Sequence, residues 1–160
     1  MRLGIVAIGR LKDGGEIELT ARYRKRIDQA GRAAALGPLL ITELLEARHP
    51  DAAQRKSDEA TRLMSATARA DRRIVLDEGG TQLTSNDFAD LLCKSRDDGA
   101  REMAFLIGGP DGHGTSVRDS ADLVLSLSRM TLPHGLARAL LAEQIYRALT
   151  IISGHPYHRV

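Results

Sequence analysis

An α/β fold, with a mainly parallel sheet flanked by helices, is what this sequence predicts. Three observations carry it. Short runs of branched aliphatic residues alternate with longer stretches whose apolar residues recur every three or four positions. Strand and helix patterns that alternate in this way imply crossover connections, and so parallel strands. The composition, 42% hydrophobic and 28% charged, is that of a globular chain, and with 3% aromatics and no Trp the core must come from Leu, Ile, Val and Ala.

Leu3 to Ile8 is an aliphatic run that stops at Gly9, the pattern of a buried first strand. After a polar loop at 12–16, Leu19, Tyr23, Ile27, Ala30 and Ala34 form a helical stripe. The opposite face carries Arg22, Arg24, Lys25, Arg26 and Arg32. Leu39 to Thr42 follows Gly37-Pro38 as a second strand. Ala52 to about Ala70 has helical spacing, and Arg72 to Asp77 returns to strand character. Thr84 with Asp87 three residues later reads as a capped helix start, leading through Leu91 and Leu92. Met103 to Ile107 is the fourth strand, Ser116 to Asp122 a short helix, and Leu123 to Leu127 the fifth strand. A long helix follows Pro133 and ends at Gly154 and Pro156.

The whole chain, 1–160, reads as one domain, large enough to bury a core without disulfide or metal. Cys93 is the single cysteine and lies beside Leu91 and Leu92, which predicts a buried thiol in a cytoplasmic protein. A net charge of +2 does not by itself announce a nucleic-acid partner. No run approaches the roughly 18 apolar residues of a membrane span, and the start reads as a strand rather than a leader.

Four places could carry chemistry. Leu76-Asp77-Glu78-Gly79-Gly80 ends a strand in acids and glycines. Asp77 or Glu78 could bond a ribose or an amine there, or the segment could be a plain turn using glycine for its dihedrals. The loop Gly108 to Gly114 allows close backbone approach to a ligand. It fits neither the P-loop nor the GxGxxG pattern, and an ordinary tight loop is the alternative. Leu125 to His134 mixes apolar and hydroxyl residues before a helix-starting proline, a composition suited to sandwiching an adenine or simply to a buried connection. The tail, His155-Pro156-Tyr157-His158-Arg159-Val160, offers Tyr157 to stack on a base and Arg159 to meet a phosphate, where most chain ends are featureless. Two histidines with no adjacent cysteine or acid are a weak metal signal, so no metal is expected.

In order, these pieces resemble the bacterial ribosomal RNA large subunit methyltransferase H family of the SPOUT class. The matching stretches are Val6-Ala7-Ile8-Gly9, Leu76 to Gly80, Phe105 to Gly112, Leu125 to His134, Ala142-Glu143-Gln144-Ile145-Tyr146-Arg147-Ala148 and His155 to Arg159. The resemblance implies a SPOUT-type α/β trefoil knot, a homodimer, and S-adenosylmethionine as cofactor. It implies methylation of N3 of a pseudouridine in helix 69 of 23S ribosomal RNA, on the assembled ribosome. Carried over, Leu76 and Gly108 contact the cofactor, and Leu127, Ser128, Arg129, Met130, Thr131 and Leu132 form its adenosine loop. Tyr157, His158 and Arg159 place the target nucleotide, with His158 the candidate base and Arg159 the electrostatic helper. Arg138 and Arg147 are implied phosphate or interface residues. The competing functions are a non-catalytic dimeric ribosome-binding factor and a related methyltransferase acting on another RNA.

Overall fold

The computed structural model describes residues 1–158, with only the backbone at His158. Its elements are β1 (Arg2–Ile8), α1 (Gly15–Ala30), β2 (Leu39–Leu44), α2 (Ala52–Ala66), β3 (Arg72–Gln82), α3 (Ser85–Asp97), β4 (Glu102–Ile107), α4 (Thr115–Asp119), β5 (Leu123–Ser126) and α5 (His134–Ile152). A 3₁₀ turn follows at Pro156–His158. The strands form one sheet in the order β2-β1-β4-β3-β5, and every pairing in it is parallel.

Side-chain alternation assigns the two faces of this sheet. Leu3, Ile5 and Ala7 of β1 and Met103, Phe105 and Ile107 of β4 point to one side, against α1, α3 and α5. Val6, Ile8, Ala104 and Leu106 point to the other, against Leu63 of α2 and Val117 of α4. With both faces covered, β4 is buried from Met103 to Ile107, which is why its sequence is continuously apolar. Phe88 and Phe105 meet at 5.9 Å between ring centroids. The predicted cap of α3 is present: the Thr84 hydroxyl accepts from the Asp87 amide, and the Asp87 carboxylate accepts from the Thr84 amide.

Three expectations are corrected. The stripe of α1 ran on to Ala34, yet the helix stops at Ala30. The Leu36 amide donates back to Gly31, where a Cβ would stand 1.9 Å from the Leu36 oxygen. That turn folds Ala34 back into the core, so its apolar character outlasts the helix. Cys93 is half-buried rather than buried. The glycines after Asp77 do not close a turn, because β3 continues through them to Gln82 and shifts register against β5 between Leu76 and Thr81. Neither has positive φ. Gly80 serves close approach instead: a Cβ there would lie 2.6 Å from the Val124 carbonyl oxygen. No helix among the described residues is long and apolar enough to cross a membrane.

Gly80→Ala should therefore destabilise the protein by about 1–3 kcal/mol in urea unfolding, since the atoms it meets are backbone and cannot rotate away. Gly79→Ala, facing only the Asp77 carboxylate at 3.2 Å, should cost clearly less. Equal costs would contradict this role for Gly80.

Candidate functional site

Because the sheet is parallel, β3, β4 and β5 deliver their carboxyl ends to one edge, and ligands of open α/β sheets bind at such edges. A cavity of about 490 Å³ lies there, within the range of small-molecule sites, about 300–1,000 Å³. Leu76 contributes from the middle of β3, where its pairing with β4 ends, and Ile107 and Leu125 from the ends of β4 and β5; one wall is the loop Gly108 to His113, and the other runs from Leu127 through Leu132 to His134 and Ala137. The structure thus brings Leu76, Gly108, Leu127, Ser128, Met130, Thr131 and Leu132 together, whereas Arg129 is exposed and does not line the cavity. A larger groove, about 630 Å³, lies beside α1 and β2 and is lined by Ile17, Ala21, Ile41 and Arg138. It draws on none of the three strands that converge on the first.

The glycine loop is shaped locally and then pinned from outside. The Gly112 amide donates to the Gly109 oxygen at 2.9 Å, and Gly112 takes φ +79°, a conformation that favours glycine. Arg55 of α2 grips Asp111 with two bonds, Nε at 2.7 Å and Nη2 at 3.0 Å. This fork holds the Asp111 carboxyl below the usual carboxylate range. A Cβ at Gly109 would lie 2.5 Å from the buried carboxylate of Glu59, which itself accepts the Ala47 amide.

His113 closes the loop from beneath. Its Nε2 donates to the Leu76 carbonyl at 3.0 Å, because a carbonyl oxygen can only accept. The proton is thereby assigned to Nε2, and Nδ1 is left buried without a partner among the described residues. Burial pushes this imidazole's pKa below its ordinary value.

The opposite wall is organised by hydroxyls. Ser126 donates to the Ser128 carbonyl at 2.9 Å, and the Ser128 hydroxyl accepts the Met130 amide at 2.9 Å. Thr131 donates to Glu78 at 2.8 Å, joining this loop to β3. Asp77 accepts from the Gly79 amide and from Arg118. The result is a slot of mixed polar and apolar lining between the two loops, with the Asp77 and Glu78 carboxylates and the Lys56 and Arg118 cations at its rim. It suits a flat heteroaromatic group joined to a portion rich in hydroxyls or carrying positive charge.

The tail residues are expected to place the target nucleotide, not to line the cofactor cavity. Tyr157 does not line the cavity but is half-buried against α1 and α5. The His158 side chain and Arg159 lie outside the described residues. Arg138 is 1% exposed and bonds Glu43 and the carbonyls of Ile8 and Gly9, so it is no phosphate contact. Arg147 is engaged by Glu143 at 2.7 Å. On the basic face Arg22, Arg24, Lys25 and Arg32 are exposed, while Arg26 lies over the rings of Tyr23 and Tyr146. Sequence reasoning missed His113 and the Arg55–Asp111 pair. The one was hidden in a run read for its glycines, and the other joins residues 56 positions apart.

Residues 1–158 match the family described as Predicted SPOUT methyltransferase. The ribosomal RNA large subunit methyltransferase H of Rhizobium johnstonii is 49% identical over 160 residues, covering 100% of both chains. The protein of the same name from Brucella anthropi is 47% identical over 159 residues, 99% of each chain. A probable methyltransferase from Bordetella pertussis Tohama I, a solved structure, has the same fold with TM-score 0.58. It covers 92% of this chain and 96% of its own at 18% identity.

His113 makes the stability of this edge depend on pH. Its folded pKa is depressed, so the unfolded chain takes up the proton more readily. The contribution is fully present above the ordinary imidazole range and is lost as pH falls towards the folded value. His113→Gln, which keeps a donor for Leu76, should remove this loss. Between about pH 7.5 and about pH 5, its urea midpoint should fall less than that of the natural chain. Parallel declines would count against a buried neutral His113.

Proposed function

This chain belongs to the ribosomal RNA large subunit methyltransferase H family of the SPOUT class, and on that premise we propose that it transfers a methyl group from S-adenosylmethionine to N3 of a pseudouridine in helix 69 of 23S ribosomal RNA, on the assembled ribosome in the cytoplasm. The observation that carries this reading is the cavity: three segments that are separate in sequence, Leu76-Asp77-Glu78, Gly108 to His113 and Leu127 to Leu132, meet around one slot.

The slot fits the cofactor by its chemistry. Leu76, Leu127 and Leu132 would flank the adenine, and the backbones of the two loops would read its edge. Asp77 or Glu78 would take the ribose hydroxyls or the ammonium group. When bound, the cofactor supplies a methyl group already activated by the sulfonium. The chain must then hold N3 in line with that methyl and assist the loss of its proton. His158 is the candidate base and Arg159 the cation that steadies the developing anion, and either could act by positioning alone.

A homodimer is the proposed working unit, with the tail reaching a site shared with the partner subunit. Its support is three exposed apolar side chains, Met130 in the loop before α5 and Leu136 and Leu140 one turn apart on that helix. The family also implies that the loops around the cavity form a trefoil knot. Both of them, with the start of α5, close on the same space.

Methyl transfer to purified ribosomes lacking the modification tests the reading, with mass spectrometry locating the product. A methyl group on N3 of the helix 69 pseudouridine is expected. Ribosome binding without cofactor binding or transfer would instead indicate a non-catalytic factor, and a methyl elsewhere a different RNA target. His158→Ala should lower turnover by about 10²-fold or more while calorimetric affinity for S-adenosylmethionine stays within about twofold. Near-normal turnover would remove the catalytic role. Charge reversal at Arg22 and Arg24 should weaken ribosome binding and flatten its salt dependence.

A further inference from the structure

The stretch Glu143-Gln144-Ile145-Tyr146-Arg147 of α5 was singled out in the sequence, yet none of it lines the cavity. It is the centre of a different construction. Glu143 Oε1 accepts from Arg147 Nε at 3.0 Å and Nη2 at 2.7 Å, and from the Tyr157 hydroxyl at 3.2 Å. Glu143 Oε2 accepts from Gln144 at 2.7 Å, and Gln144 in turn accepts from Ser85 at the start of α3, at 3.0 Å. The Tyr157 and Tyr23 hydroxyls are 3.1 Å apart. Since a carboxylate can only accept, Tyr157 gives its proton to Glu143 and Tyr23 must donate to Tyr157. The chain of bonds therefore has one direction, from α1 through the tail to α5.

Ring contacts reinforce it. Tyr157 meets Tyr146 edge to face at 4.8 Å, and Tyr146 meets Tyr23 at 6.0 Å. The guanidinium of Arg147 lies 5.3 Å from the Tyr157 ring, and that of Arg26 lies 5.5 Å from Tyr146. The chain has three tyrosines and no Trp, and all three tyrosines meet here. The route back is built as well. Gly154 takes φ +66°, the His155 amide donates to the Thr150 carbonyl, and the Tyr157 amide donates to His155 Nδ1. A frayed end would need none of this.

We propose that Tyr157 is the anchor of the tail, and that Tyr23 and Glu143 are positioning residues that act through it to set where the chain beyond Tyr157 is presented. Tyr157 is then neither a base nor a free stacking platform. Burial first, then the Tyr23 bond and the Glu143 charge, push its phenol pKa up and keep the proton in place. The positioning role rests on the reading of the tail as the substrate-placing segment. The anchor does not.

Two measurements separate these claims. Hydrogen exchange of the full chain, without RNA, should be at least tenfold faster over 155–158 in Tyr157→Phe and in Tyr23→Phe. The rest of α1 and α5 should be unchanged. Both variants keep their rings, so folding is preserved. In ribosome methylation, each should lose at least tenfold in kcat while the Kd for S-adenosylmethionine stays within twofold. The double variant should lose less than twofold beyond Tyr157→Phe alone. Unchanged exchange would overturn the anchor. Faster exchange with unchanged kcat, or additive losses, would overturn the positioning role. Absence of methyl transfer by the natural chain would remove the functional reading and that role with it, while the exchange contrast would still decide the anchor.

Discussion

The cavity exists because β3 runs between β4 and β5 with all three strands pointing the same way. Parallel pairing sends three carboxyl ends to one edge, so the loops that leave them must share space. The close approach of β3 to β5 at Gly80 sets how near those loops come, and a side chain there would strike the Val124 backbone. His113 then bonds β3 at Leu76 from the loop after β4, and Thr131 bonds it at Glu78 from the loop after β5. Strand pairing, glycine placement and loop bonding are successive consequences of one packing constraint.

Much of this fold could be read before any coordinates. The inner strands β1 and β4 are apolar because they are covered on both faces, and the order in which strands and helices appear follows from periodicity alone. The cap at Thr84 and Asp87 was legible because both partners lie within one turn. The cavity-lining residues were legible for a different reason: strand ends followed by glycines, acids or hydroxyls mark where backbone is free to meet a ligand. Strand order was not legible, since no local pattern says that β4 lies between β1 and β3.

What escaped the sequence shares one property, dependence on contacts between distant residues. Arg138 stood as an implied phosphate or interface residue, because its helix position says nothing of Glu43 or the carbonyls of Ile8 and Gly9 that absorb it. That Tyr157 meets Tyr23 was hidden because the two are 134 positions apart. The glycines after Asp77 read as a turn because close backbone approach and unusual dihedrals leave the same residue type in a sequence. In each case the residue type was noticed and its role was assigned by neighbours the sequence does not show. Tyr157 illustrates this best, since its hydroxyl meets Tyr23 of α1 and Glu143 of α5.

The most direct measurement is a backbone amide titration by nuclear magnetic resonance with S-adenosylmethionine. Shifts confined to 76–79, 108–113 and 127–132, with Ile17, Ala21 and Ile41 beside the larger groove unaffected, are the expected result. Shifts centred on that groove, or none at all at concentrations well above those of ordinary cofactor binding, would contradict a cofactor site at the ends of β3, β4 and β5.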